Sequence, residues 1–216
     1  MNRDMGRVGA FALALMLAAV AAASDREFVI PPGHLSMQSS PRGLKIKYRT
    51  IRGWGAQLDG ESPELDGATL HIFNSAGGTD TLCLSLPSSN WIGTAFDRDT
   101  FPNGWTYKDS QGVLGPVARA RFGNVSRMER VDKSDIRAVV RDATGFTLDE
   151  SSQGSIGVTF RLANRLFPQD GGHTRYCTDF VPPYATITQD APGVFRAQSR
   201  IGNYTGPCPV ASVECP

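Results

Sequence analysis

The sequence predicts an all-β fold, a β-sandwich of about ten short strands held by disulfides. Three observations carry this reading: runs with apolar residues at every second position, 23 Gly and 14 Pro spread between them, and four Cys behind an apolar leader.

The leader has a basic start at Arg3 and Arg7, an apolar run from Val8 to Val20, and a small-residue site at Ala21-Ala22-Ala23. Residues 1–23 therefore read as a signal peptide, with Ser24 the first residue of the exported chain. The run is too short to span a bilayer as a stable helix, and no later run approaches that length. Export to the periplasm or the extracellular space follows. The 22 basic and 21 acidic residues fall level once Arg3, Arg7 and Asp4 leave with the leader. A neutral chain has no overall attraction to nucleic acid or an anionic membrane.

Residues 24–43 are rich in Pro, Ser and Gly and read as an extended lead-in to one all-β domain over 44–216. Leu44, Ile46 and Tyr48 alternate with Lys45, Lys47 and Arg49, a half-buried strand. Glycines break residues 52–67 into loop. Leu70 and Ile72, then Leu82, Leu84 and Leu86, flank Asn74-Ser-Ala-Gly-Gly78 as a hairpin. Trp105 to Tyr107, Val117 to Phe122, Ile136 to Val140 and Phe146 to Leu148 are further short strands. Ile156, Val158, Phe160 and Leu162 make a clean inward face, and Tyr176 to Phe180 and Val194 to Ala197 complete the set. Residues 123–135 are polar enough for loop or a short helix.

A partial repeat runs through the chain. Gly77-Gly78 precedes Cys83 by the same interval that separates Gly171-Gly172 from Cys177. This predicts two related, hairpin-bearing halves. Four Cys in an exported chain favour disulfides, with three possible connectivities. The repeat favours joining each hairpin Cys to one Cys-Pro step of the tail, as Cys177–Cys208 and Cys83–Cys215. The tail pair is spaced too widely for a zinc knuckle, and no metal site is expected there.

The order of motifs adds a resemblance. It runs through Leu65-Asp-Gly-Ala-Thr-Leu-His-Ile-Phe-Asn74, Leu86-Pro-Ser-Ser-Asn-Trp91, Trp105-Thr-Tyr-Lys-Asp109 and Gly115-Pro116. Phe146-Thr-Leu-Asp-Glu150, Gly154-Ser-Ile-Gly-Val-Thr159, Arg175-Tyr-Cys177 and a closing Cys-Pro follow. The series resembles an uncharacterised family of secreted proteobacterial all-β domains and covers nearly all of residues 44–216. The resemblance implies a secreted β module and transfers no catalytic residue. Where such relatives carry a Cys after Gly-Pro and a partner further on, this chain has Val117 and Val140, as if packing had replaced a disulfide. Ala163 to His173 is also longer than the tight turn of relatives.

Candidate chemistry is sparse. Trp54, Trp91, Trp105 and Tyr107, with His173 on the long loop, are the candidate ligand-binding residues, because aromatic faces stack on sugars. Asp59, Glu61, Glu64 and Asp66 form an acidic, glycine-rich loop that could hold Ca²⁺, although the spacing is not that of an EF-hand. Asp97 and Asp99, and Asp149 and Glu150, are carboxylate pairs of the kind glycosidases use, set in turn-like sequence. No GxSxG elbow and no HExxH motif occurs. Arg119, Arg121, Arg127, Arg130, Lys133, Arg137 and Arg141 would suit an acidic partner, but interleaved Glu129, Asp132 and Asp135 read as an ordinary solvated surface. The expectation is a secreted or surface-associated, non-catalytic module that binds a glycan or an extracellular protein. The alternatives are a hydrolase with a site near Asp170 and His173, and a structural envelope component.

Overall fold

The computed structural model describes residues 26–51, 61–95, 102–123, 135–163, 172–199 and 206–215. The strands in chain order begin with β1 (Arg26–Val29), β2 (Pro32–Ser40), β3 (Gly43–Thr50), β4 (Ala68–Asn74) and β5 (Thr81–Leu86). Next come β6 (Trp91–Ala95), β7 (Pro102–Lys108), β8 (Val117–Gly123) and β9 (Asp135–Ala143). The last are β10 (Ile156–Ala163), β11 (His173–Phe180), β12 (Ala185–Ala191) and β13 (Val194–Ser199). A single turn of helix, α1 (Pro63–Asp66), starts at a proline, whose fixed φ suits a first helical position.

Two sheets form the sandwich. The small one has the order β1-β11-β10-β4-β5 and the large one β12-β13-β2-β3-β9-β8-β7-β6. The period-two alternation explains which face of each strand turns inward. Leu44, Ile46 and Tyr48 of β3 are buried, whereas Lys45, Lys47 and Arg49 between them are exposed. The inner faces meet through aromatic rings. Phe122 of the large sheet stacks on Phe160 of the small one at 6.2 Å and lies 5.0 Å from Tyr176. Trp91 meets Phe160 edge-on at 6.3 Å, and Tyr48 meets Phe180 at 6.2 Å. Gly157 is required by close packing, since a Cβ there would fall 2.5 Å from the ring of its cross-strand partner Phe73.

The all-β fold is as expected, with differences of detail. The supposed lead-in forms β1 and β2, so the sheets begin well before residue 44. Its Leu35 and Met37 are fully buried, and its polar residues are the outer face of a central strand. Phe146 and Leu148 are buried without forming a strand, the chain there being irregular. The two similar hairpins, β4–β5 and β10–β11, lie side by side in the small sheet through the β4–β10 pair. Val117 and Val140 are direct cross-strand partners, each 1% exposed.

Both disulfides pin the C-terminal tail to the small sheet. Cys83 joins Cys215 with Cα atoms 5.6 Å apart, and Cys177 joins Cys208 at 5.5 Å. This is the pairing the repeat favours, and it belongs to an oxidising compartment. No helix among the described residues is long and apolar enough to cross a membrane.

Candidate functional site

The outer face of the large sheet carries the strongest chemical signal. Cross-strand register sets its side chains in rows, because residues opposite one another on one face are immediate neighbours. One row runs Arg196, Ser36, Lys47, Val139, Arg119, Lys108 from β13 to β7. The next runs Gln198, His34, Arg49, Arg137, Arg121, Thr106 over the same strands. At about 4.8 Å between strands, each row spans about 24 Å. Lys45 extends the face along β3, and Arg141 extends it along β9. A groove of about 700 Å³ runs over this face, lined by Ser36, Gln38, Arg42, Lys45, Lys47, Val139, Arg141 and Arg196 among others.

The charges on the face are unbalanced. Asp135 is fully buried at its margin and accepts hydrogen bonds from Arg121 Nε at 2.9 Å and Arg137 Nε at 2.6 Å. Asp142, whose φ of 55° places it in the left-handed region, stands at the end of the groove. Among the described residues, Lys45, Lys47, Arg49, Arg119, Arg141 and Arg196 have no ion-pair partner. His34 registers the resulting potential. Burial first, and then the cations Arg49, Lys47 and Arg196, hold its pKa below the ordinary 6.5, so it stays neutral at pH 7.

A cluster of acids lies elsewhere. Asp80, after β4, gathers with Asp149 and Glu150, after β9, with ligand atoms within 4.8 Å of one another. Thr147 Oγ1 bridges them, donating to Asp149 at 2.7 Å and lying 3.2 Å from Asp80. Burial and the neighbouring Glu150 raise the pKa of Asp80.

The structure places the sequence candidates differently. Trp91, Trp105 and Tyr107 are buried at 6%, 4% and 0% exposure, so they pack the core and present no stacking face. Trp91 packs tilted against Tyr107 at 5.4 Å and donates its indole N–H to the Leu86 carbonyl at 3.2 Å. Their size and apolarity decide this, since large rings stabilise most where water is excluded. Trp54, Asp59, Asp97, Asp99 and Asp170 lie outside the described residues. Glu61 is turned inward and accepts a hydrogen bond from the Tyr176 hydroxyl at 2.6 Å, Glu64 is half-buried, and Asp66 is exposed. His173 is half-buried, with Nδ1 3.3 Å from Arg161 Nη2. Sequence reasoning singled out the arginines of 119–141 and the alternating cations of 45–49 separately. Only the order β3-β9-β8 makes them one face.

Comparison of the chain with family models, with curated proteins and with solved structures finds no match.

Proposed function

We propose that this protein is an exported, non-catalytic β-sandwich module that binds an acidic glycan on the outer face of its large sheet. The observation that carries this reading is the pair of cationic rows, with unpaired Arg and Lys side chains against one buried Asp. A flat, regular array of cations suits a linear polymer whose carboxylates or sulfates recur at intervals. With Trp91, Trp105 and Tyr107 inside, the domain recognises such a polymer by charge. The flanking polar groups Ser36, Gln38 and Gln198 supply hydrogen bonds to hydroxyls. The exposed Val113, Leu114, Val210 and Val213 stand outside the rows, and the exposed Ile92 of β6 continues the second row beyond Thr106. The disulfides and the N-terminal leader support export.

The test is retention on immobilised polygalacturonate against neutral dextran, with DNA as a second polyanion. The native protein is expected to be held by polygalacturonate at low salt, eluted by salt, and not held by dextran. The triple variant Lys47→Gln, Arg49→Gln, Arg196→Gln is expected to lose retention while its unfolding midpoint stays unchanged. Equal retention of native and variant proteins, or retention on dextran, overturns the reading. Tighter binding to DNA than to polygalacturonate overturns the choice of glycan.

A further inference from the structure

The outer face of the small sheet holds a second constellation. One cross-strand row there reads Cys83, His71, Thr159, Cys177 across β5, β4, β10 and β11. The two outer members are the disulfide anchors, so the tail from Cys208 to Cys215 is strapped across the two inner ones. Under this strap His71 and Thr159 are each only 3% exposed. A cavity of about 380 Å³ opens beside them, lined by Thr69, His71, Thr159, Arg161, Arg175 and Glu214 together with Cys215. That volume lies within the range of small-molecule sites.

The lining is chemically specific. Two guanidiniums enter from neighbouring strands, since Arg161 and Arg175 are cross-strand partners. The Thr159 hydroxyl is buried and has no hydrogen-bond partner, a condition that costs free energy unless a ligand or water completes it. The His71 Nε2 is committed to Thr81 Oγ1 at 2.6 Å. Glu214, on the strap and itself 57% exposed, reaches in with its two carboxylate oxygens 3.2 and 3.4 Å from Arg175 Nη2. Arg175 also contacts Glu27 at 3.3 Å through its other terminal nitrogen.

We propose that this cavity is a binding site for a small organic carboxylate, with Glu214 standing on Arg175 where the ligand carboxylate would stand. A guanidinium donates charge-assisted hydrogen bonds to a carboxylate, and here both oxygens of Glu214 lie against Arg175 Nη2. The ligand displaces Glu214 into solvent, bonds Arg175, and takes the hydroxyl hydrogen of Thr159 on an acceptor oxygen. The site lies on the opposite sheet from the cationic rows and does not depend on them.

Succinate is titrated into ¹⁵N-labelled protein, with inorganic phosphate and the neutral succinamide as parallel arms. Saturable shifts at Thr159, Arg161 and Arg175 with succinate, and none with succinamide, are expected. Glu214→Gln removes the tethered competitor and is expected to tighten succinate about two- to fivefold, the worth of an exposed ion pair. Arg175→Met is expected to weaken it about tenfold or more, and Thr159→Val, which keeps the shape, to weaken it measurably. Polygalacturonate retention is expected to be unchanged in all three variants. No saturable shift in either the native protein or Glu214→Gln, shifts indifferent to Glu214→Gln and Arg175→Met, or phosphate bound more tightly than succinate would each overturn the proposal.

Discussion

Opening the Cys83–Cys215 disulfide perturbs stability and the small-sheet face together. The bridge closes a sequence separation of 132 residues. In the chain-entropy description such a closure removes about 5 kcal/mol of freedom from the unfolded chain at 25 °C. That is comparable with the whole stability of many domains. The Cys83→Ala, Cys215→Ala variant is therefore expected to lose about 4–5 kcal/mol in urea unfolding. It also frees the strap end that carries Glu214. His71 reports this locally. Its pKa is held below 6.5 chiefly by burial, with Glu214 raising it and Arg175 lowering it further. Releasing the strap removes more burial than it removes Glu214 attraction, so the His71 titration followed by NMR is expected to move up toward the ordinary value. A stability loss under about 1 kcal/mol, with an unchanged His71 titration, would refute both the entropic accounting and the covering role of the strap.

Three further predictions concern the core and the buried acids. Asp135→Asn leaves Arg121 and Arg137 without a full carboxylate at the margin of the cationic face; it is expected to cost about 1–3 kcal/mol in urea unfolding, and a change below about 0.5 kcal/mol contradicts the pairing. Trp91→Ala is expected to cost about 3–5 kcal/mol and to leave polygalacturonate retention of the folded fraction intact, whereas lost retention at unchanged stability would restore a stacking role. Burial raises the pKa of Asp179 above 3.8 despite the Ser75 hydroxyl, which donates to it at 2.7 Å. Between 3.8 and the higher folded value, the native state keeps a proton that the unfolded chain has released, so stability falls as pH rises through that window. Asp179→Asn is expected to gain on the native protein over that rise, and a pH-independent difference between the two unfolding curves would contradict this.

The central strands were legible because apolar residues recur at every second position along them. Leu44, Ile46 and Tyr48 of β3, and Ile156, Val158 and Phe160 of β10, state their orientation by period alone. β2 was hidden because its Pro, Gly and Ser residues dilute an inward face of only Leu35 and Met37. β6 and β12 are edge strands, where one side of the backbone has no partner and the alternation weakens. Phe146 and Leu148 mimic a strand because an irregular segment crossing the core also buries every second side chain. The hairpin Cys positions were readable from the repeat, which marks equivalent places on β5 and β11. The candidate face was only half readable. Each strand announces its own cations, but Lys47 and Arg119 lie in one row through Val139, and that adjacency comes from non-local pairing. For Trp91 and Trp105 the local sequence is the same whether the ring faces the core or the solvent, so burial had to be seen.

Lysine acetylation footprinting with and without polygalacturonate tests the central claim most directly. Lys45, Lys47 and Lys108 stand exposed on the outer face of the large sheet. The account predicts that polygalacturonate slows acetylation of all three, and that added salt restores it as counterions screen the contacts. Unchanged acetylation of these lysines at polymer concentrations that retain the protein would contradict it.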